Sequence, residues 1–287
     1  MNRLLREIAP VTEQAWREIE AEARRTLKTL LAARRFAGFT GPKGWDLAAV
    51  DSGREALGGG EEERTLRTRV RRVQPLIELR RCFDIPRATL DALDRGARDV
   101  DLDAVVAAAQ EIALAEDRIV FHGFDAGGVE GIVDGAAAAA LPISERYEEY
   151  PALVAAALSK LREQGVGGPY AIALGERCYT GLTETTKEGY PVIQHVQRLI
   201  EGPLIWAPAV SGAVVVSLRG DDFELVVGQD VSLGYLSHDQ AKVTLYLEES
   251  MTFRLLSAQA AVPLVYEEAQ GQGRSPGAAR GNGRRNK

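Results

Sequence analysis

PLIELR at residues 75–80, LDALDRG at 90–96 and DRIVFHG at 117–123 follow one another in the stretch that decides the architecture of this chain. The first segment has the pattern of a strand, and the second lies in a predicted short helix over 87–95. Between 101 and 121 apolar residues recur every three or four positions, which predicts a long helix. We therefore expect a strand followed by two helices, of which the long helix forms the spine of a domain.

A second α/β region is predicted downstream, because short helical and extended patterns alternate there. Helices are expected at 150–163, 176–182 and 192–200, and strands at 168–175, 203–206 and 213–217. The alanine-rich segment GAAAAALP at 135–142 is interpreted as a linker or loop, because glycine and proline flank it. Further strands, expected to return to the sheet of the first domain, are predicted at 224–231, 242–248, 252–256 and 262–266.

Composition restricts the class of protein. The chain has 287 residues, 45% of them hydrophobic, which is enough for one large domain or two smaller ones. Its formal charge of −6 argues against a protein whose main task is to bind nucleic acid. Glu7 and Pro10 interrupt any secretion signal and no apolar run approaches a membrane span, so a soluble cytoplasmic protein is expected.

An amphipathic helix is predicted from Thr12, its candidate N-cap, to about Arg35. Two interpretations of its apolar stripe remain open: the stripe packs entirely on the core, or it leaves a partly open groove.

A charged hairpin is predicted within residues 46–73, with LGGGEEE at 57–63 as its tip. A hairpin of this charge has little apolar surface to bury by itself. We expect it to lie across a neighbouring subunit, where cross-chain ion pairs set the register; a solvated surface hairpin is the alternative. The arginines expected at this contact are Arg64, Arg67, Arg69 and Arg71.

A search for catalytic chemistry finds no recognisable site. His122, His195 and His238 belong to no HExxH motif or triad-like signature, and no glycine cluster matches a phosphate loop. Cys82 and Cys178 are too few and too far apart for a disulfide framework or a metal knuckle, so buried thiols are expected. The sequence therefore predicts no catalytic residue and no metal site, and the chain is not expected to be an enzyme.

In their order and spacing the segments quoted above, together with GPKGW at 41–45 and GQDVSLGY at 228–235, resemble the shell proteins of encapsulin nanocompartments over roughly residues 1–266. The resemblance implies an α+β, tailed-phage major-capsid-like fold with a peripheral domain, an axial domain and an extended loop. On that pattern the parts are an N-terminal arm and helix of the peripheral domain at 1–45, the extended loop at 46–74, further peripheral domain at 75–135 and 223–266, the axial domain at 136–222, and a disordered basic tail at 267–287.

The resemblance also implies partners. About sixty copies of the chain would close into an icosahedral shell. The shell would enclose an enzyme of the ferritin-like or dye-decolourising peroxidase type, serving iron storage or the response to oxidative stress, and would capture it by a short C-terminal peptide. The groove that binds this peptide would combine the N-terminal helix with peripheral-domain strands, through Leu27, Leu30, Leu31, Arg34, Phe36, Val231, Leu233 and Tyr235.

A five-fold pore is the third implication of the resemblance. Five copies of a polar loop would surround an aperture that passes ions and small substrates and excludes proteins. A plain surface turn is the alternative for this segment. The pore residues would be Thr185, Thr186, Lys187, Glu188, Gly189 and Tyr190.

Two departures from the family pattern matter. Ala88 stands in the short helix where a flavin would need an aromatic platform, so no flavin and no other cofactor is expected. The tail at 267–287 extends past the usual family end and carries basic residues. It would decorate the exterior and attract nucleic acid or an anionic surface, or it is an added extension or passive disorder.

Two other functions compete with the shell. A phage-type major capsid protein would package DNA, which the acidic balance of the chain disfavours. A peptidase or bacteriocin-like enzyme would need a triad assembled from distant positions, which one sequence does not exclude.

Overall fold

A computed structural model describes residues 3–57, 69–144, 146–187 and 189–266. The helices are α1 Glu13–Leu30, α2 Arg87–Asp94, α3 Asp103–His122, α4 Ile132–Gly135, α5 Tyr150–Glu163, α6 Glu176–Glu184 and α7 Val192–Ile200. The strands are β1 Gly38–Thr40, β2 Ala49–Leu57, β3 Arg69–Pro75, β4 Ile77–Pro86, β5 Leu141–Ile143, β6 Tyr170–Leu174, β7 Thr186–Lys187, β8 Tyr190–Pro191, β9 Glu201–Trp206, β10 Ala213–Ser217, β11 Phe223–His238, β12 Lys242–Leu255 and β13 Ala261–Tyr266.

The first sheet carries the two long helices. Its strand order is β1-β11-β12-β4, with β1 parallel to β11 and the other neighbours antiparallel. Helices α1 and α3 pack against each other and against this sheet, because their apolar stripes share one core with residues of β4, β11 and β12. The core includes Trp16, Ile19, Val105, Ile112, Leu233 and Leu245. Helix α1 therefore lies close to β11, which forms the other wall of the candidate site.

The second sheet has the order β5-β13-β10-β6-β9 and belongs to the other half of the molecule. Strands β6 and β10 are buried along their whole length, as their continuous apolar sequences require. Helices α5 and α7 contribute Val154, Leu158, Val196 and Ile200 to the core around these strands. Helices α5 and α7 match the predicted ranges 150–163 and 192–200 at both ends.

The C-terminal strands differ from the prediction in two ways. The stretch 262–266 was expected to return to the first sheet, which is wrong: β13 pairs with β10 and β5 in the second sheet. The stretches 242–248 and 252–256 are one continuous strand, β12, since Glu248, Glu249 and Ser250 are buried within it. The predicted gap at 249–251 lies inside this strand, because Glu249, Ser250 and Met251 pair with β4.

The alanine-rich segment 135–142 is part of the packed fold, and its interpretation as a linker is wrong. A 3₁₀ turn at Ala137–Ala139 leads directly into β5, which pairs parallel with β13. Ala136 and Ala139 are buried, because a methyl side chain lets this backbone pack closely against its neighbours.

Helix α1 begins as predicted and ends early. The Thr12 hydroxyl accepts a hydrogen bond from the Ala15 N–H at 3.2 Å, which confirms the N-cap. The helix ends at Leu30 rather than near Arg35. The N–H groups of Ala32 and Ala33 donate to the Asp117 carboxylate at 3.0 and 2.9 Å, so they have a partner outside the helix.

The predicted charged hairpin is confirmed in its described part, where β2 and β3 pair antiparallel from Ala49↔Pro75 to Leu57↔Arg69. Arg64 and Arg67 lie outside the described residues. Arg69 and Arg71, expected to form cross-chain ion pairs, have partners inside the hairpin: Glu55 at 2.7 Å and Asp51 at 3.2 Å.

Candidate functional site: a cavity between helix α1 and strand β11

A cavity of about 430 Å³ lies between helix α1 and strands β11 and β12. It has an apolar interior and a rim of charged side chains. Its lining consists of Leu4, Arg6, Glu20, Ala23, Arg24, Leu27, Lys28, Leu31, Arg34, Asp230, Val231, Ser232, Leu233 and Leu247.

One face of α1 forms a wall of this cavity. Glu20, Ala23, Leu27 and Leu31 recur at steps of three and four, so they lie above one another on the same side of the helix. Arg24 and Lys28 follow Ala23 and Leu27 by one residue each and line the cavity beside them. The helix thus brings apolar and cationic side chains to the same cavity.

Five of the eight residues predicted for a peptide groove line this cavity: Leu27, Leu31, Arg34, Val231 and Leu233. Leu27 and Leu233 are buried, whereas Leu31 and Val231 are partly exposed. The predicted stripe of α1 therefore does both things that the sequence left open: it packs on the core, and from Ala23 to Leu31 it also borders a cavity.

The other three predicted residues do not line the cavity. Leu30 and Tyr235 are buried in the core of the first sheet, where the Tyr235 hydroxyl is 2.6 Å from His238 Nδ1. Phe36 packs with the other core, its ring 5.8 Å from that of Phe121 and 5.7 Å from that of Phe223. The chain turns at Ala33–Arg35, and this turn carries Phe36 away from the face used by Leu27 and Leu31.

Arg34 closes one side of the cavity through a network of carboxylates. Its Nε donates to both oxygens of Glu116 at 3.0 Å, and its Nη2 donates to Glu116 at 2.6 Å and to Glu249 at 2.5 Å. Its Nη1 donates to Asp230 at 2.8 Å. Glu116 and Glu249 are fully buried, so the guanidinium supplies the positive charge that their burial requires.

The electrostatics of this network follow from burial. Burial alone lowers the pKa of Arg34, but its hydrogen bond to Glu116 and the surrounding carboxylates outweigh that effect and raise the pKa above its ordinary value. The pKa of Glu249 is raised well above the usual range of a carboxyl. Burial is the largest cause, and repulsion from Glu116 is the second. Arg34 therefore stays positively charged, and the Glu249 carboxyl beside it has a pKa well above its ordinary value.

The partners of Arg34 were not predicted from the sequence. Glu249 falls in the gap between two predicted strands, and Asp230 precedes the predicted groove residue Val231. The position of Glu116 in the apolar stripe of α3 did indicate a buried ion pair, because a charged residue at such a position needs a buried partner.

The segment predicted to surround a pore forms a very short hairpin, in which Thr186 pairs with Pro191 and Lys187 with Tyr190. Tyr190 is 59% exposed, and its ring meets that of His195 edge-on at 6.2 Å. The Thr185 carbonyl accepts a hydrogen bond from the Val192 N–H at 2.9 Å, which ties the hairpin to the start of α7. Glu188 lies outside the described residues.

The described residues contain no cluster of three or more His, Cys, Asp and Glu side chains arranged to hold a metal ion. Cys178 is buried as predicted, with its Sγ 3.0 Å from the Tyr150 hydroxyl and 3.2 Å from that of Tyr266. Cys82 is only partly buried, which corrects its prediction as a buried thiol. Ala88 lies in α2. Across the part of the chain that the structure describes, none of the helices has the length and apolar character to cross a membrane.

Comparison with solved structures identifies the fold. The chain is similar to a virus-like particle from Pyrococcus furiosus, with a TM-score of 0.61 at 15% identity over 87% of this chain and 99% of the other. It is also similar to a structure from Mycobacterium phage Cain, with a TM-score of 0.53 at 15% identity over 85% and 92% of the two chains. The predicted α+β, tailed-phage major-capsid-like fold is thereby confirmed.

Sequence comparison is more specific. A family model described as an encapsulating protein for peroxidase matches residues 1–252. A protein of Rhodospirillum rubrum named type 1 encapsulin shell protein is 54% identical over 272 residues, which span 92% of this chain and 96% of that protein. The resemblance inferred from residues 75–123 and the two glycine-containing motifs therefore holds over nearly the whole chain, and the chain belongs to the encapsulin shell-protein family.

Proposed function

We propose that this chain assembles into a closed, capsid-like shell and captures an enzyme inside it by a short C-terminal peptide of that enzyme, which binds in the cavity between α1 and β11. The enzyme is expected to be of the ferritin-like or peroxidase type. The observation that carries the capture step is the convergence of Leu27, Leu31, Val231 and Leu233 on one cavity of about 430 Å³.

The chemistry of the cavity suits a short apolar peptide. Burying one leucine-sized side chain contributes roughly 1.5 to 3 kcal/mol. Two or three such side chains, less the cost of ordering the peptide, correspond to a dissociation constant of about micromolar. That affinity is sufficient, because an oligomeric enzyme with several tails gains avidity from a wall that repeats the cavity in every subunit.

Assembly is supported by the hairpin β2–β3. Val70 and Val73 are 57% and 58% exposed, although both are strongly apolar. A two-stranded hairpin gains little stability by itself, so contact with a covering partner favours it. Val70 and Val73 lie three residues apart on β3 and offer one apolar side chain to each face of the hairpin. A neighbouring copy of the chain is that partner in a closed shell.

Access to the interior is proposed at the five-fold axes through the β7–β8 hairpin. Five copies of Lys187 and of the neighbouring polar residues would line an aperture for ions and small substrates. The shell itself contributes no catalytic step, and the enclosed enzyme performs the reaction.

The test of capture is a shell variant with two altered cavity residues. We expect Leu31→Ser with Val231→Ser to assemble normally and to lose most of its cargo, measured as cargo per shell chain in purified particles after co-expression, because both side chains line the cavity and are partly exposed. The matched control is Leu236→Ser, because Leu236 also lies on β11 and is 50% exposed, outside the cavity. Unchanged loading in the double variant would contradict capture at this cavity.

A further inference from the structure

A second cavity adjoins the first one. It has a volume of about 870 Å³ and lies between the end of α1, the turn that follows it, α6 and the end of β9. Lys28 lines both cavities, so they meet at this side chain. The lining of the second cavity is Lys28, Thr29, Arg35, Glu176, Tyr179, Thr180 and Trp206.

Three of the five cations that line these two cavities have no ion-pair partner among the described residues. Two of the lining cations are engaged: Arg6 pairs with Glu20, and Arg34 pairs with three carboxylates. The other three, Arg24, Lys28 and Arg35, are exposed and form no ion pair with any residue that the structure describes. These three cations line two adjoining cavities, and their positive charge favours an anionic ligand.

The second cavity also offers apolar surface. Tyr179 and Trp206 are partly exposed and line it together with Lys28 and Arg35. Glu176 is its one carboxylate among the described lining residues and opposes part of this positive charge, which leaves one net positive charge in the lining. A ligand that combines an apolar side chain with a single carboxylate matches this combination of aromatic surface and cations.

We propose that the second cavity binds the free C-terminal carboxylate of the captured peptide, while the apolar side chains that precede it occupy the first cavity. This inference rests on the proposed function. A segment at the end of a chain always terminates in a carboxylate, which an internal segment lacks, so Lys28 and Arg35 distinguish a terminal tail from the same sequence placed within a chain. Tyr179 and Trp206 pack against the last side chain of the tail.

The test compares two monomeric fluorescent reporters, each co-expressed with the full-length shell chain. One reporter ends in a Gly/Ser tail with three leucines, so its carboxylate follows the apolar residues directly. The other carries the same tail followed by about ten further Gly/Ser residues, which move the carboxylate away. A third reporter without a tail gives the background, and reporter per shell chain in purified particles is the readout. A monomeric reporter avoids avidity, which would mask a moderate change in affinity.

In wild-type shells we expect the extended tail to load about three- to tenfold less than the terminal tail, the range for loss of a charge-assisted contact at a partly exposed site. In shells with Lys28→Gln and Arg35→Gln the two tails should load equally, at the lower level. The control shell is Arg17→Gln, because Arg17 is an exposed cation on α1 that lines neither cavity.

Each alternative outcome has its own meaning. Equal loading of both tails in wild-type shells would overturn the carboxylate site, and this comparison needs no shell variant. A difference that persists in the Lys28→Gln, Arg35→Gln shells would overturn the assignment of the carboxylate to these two residues. If the tail-free reporter loads as well as both tailed reporters, the proposed capture by a peptide fails, and the further inference fails with it.

Discussion

At the residue scale, Arg34 joins three carboxylates from separate parts of the chain. Removing it leaves Glu116 and Glu249, both fully buried, without a counter-charge. Removing one partner of a buried ion pair costs about 3–5 kcal/mol. We therefore expect Arg34→Met to lower the free energy of unfolding by about that amount in chemical denaturation, because the remaining carboxylates face each other at low dielectric.

The control for this variant is Arg25→Met. Arg25 is an exposed residue of α1 that pairs with Glu22 on the surface, so its loss should change the free energy of unfolding by less than about 1 kcal/mol. Equal effects of the two substitutions would show that the buried network contributes no more than a surface ion pair.

Asp117 gives the fold a predictable dependence on pH. Burial raises the pKa of Asp117 to about 7, against the opposing effect of the hydrogen bonds from the Ala33 and Ala32 N–H groups. In the unfolded chain an aspartate has a pKa of about 3.9. The native state therefore holds a proton that the unfolded chain has released, so this contribution to stability falls as the pH rises from about 4 to about 7.

The measurement is the free energy of unfolding of wild type and Asp117→Asn between about pH 4 and about pH 8. The neutral asparagine does not titrate, so the stability of wild type relative to the variant should decrease across this window and then level off. A relative stability that rises with pH across the same window would contradict the raised pKa.

At the element scale, the hairpin β2–β3 is expected to matter for assembly and not for the fold of one chain. Val70 and Val73 are more than half exposed, so Val70→Ser with Val73→Ser should leave the circular dichroism spectrum of the chain unchanged. The same change should reduce closed particles strongly, measured by mass photometry, because a neighbouring copy loses its apolar contact. Arg72→Gln on the same strand is the control, and intact particles from the double variant would remove the hairpin from the interface.

The limits of elements that follow a local sequence pattern could be predicted closely. The limits of elements that depend on ion pairs with distant residues could not. Helix α7 matches its predicted range because the period of its apolar residues is unambiguous. Strand β12 was predicted as two strands, at 242–248 and 252–256, although Glu248 and Glu249 are buried inside one strand. They are buried because Arg3 and Arg80 pair with the first and Arg34 with the second. Such pairing joins distant parts of the chain, so no local window of sequence contains it.

The sequence predicted the candidate site only in part, because some of its contacts also join distant parts of the chain. Leu27, Leu31, Val231 and Leu233 converge because a helical stripe and a strand of the same domain pack against each other. Phe36 was misplaced, because the chain leaves α1 at Leu30 and turns where Asp117 accepts its N–H groups. That turn depends on a carboxylate more than eighty residues away in α3, so the sequence near Phe36 gives no sign of it.

At the scale of the whole molecule, the two sheets divide the proposed tasks. The first sheet and α1 form the cavity proposed for the captured peptide, and the second sheet supports the β7–β8 hairpin proposed for the pore. Residues Glu176 and Tyr179 of α6, next to the second sheet, also line the cavity proposed for the carboxylate. Binding at that cavity would therefore contact both halves of the chain.

Closure of the shell makes the most decisive prediction, because every proposed task depends on an inside and an outside. About sixty copies of a 31.1 kDa chain would give an empty particle of about 1.9 MDa. The chain purified alone should therefore form hollow spheres of uniform diameter by negative-stain electron microscopy, with a mass near that value by native mass measurement. Larger shells with more subunits would keep the proposed function and change only the copy number. A monomer or small oligomer as the sole species would leave the capsid-like fold without a shell, and peptide capture without a compartment to fill.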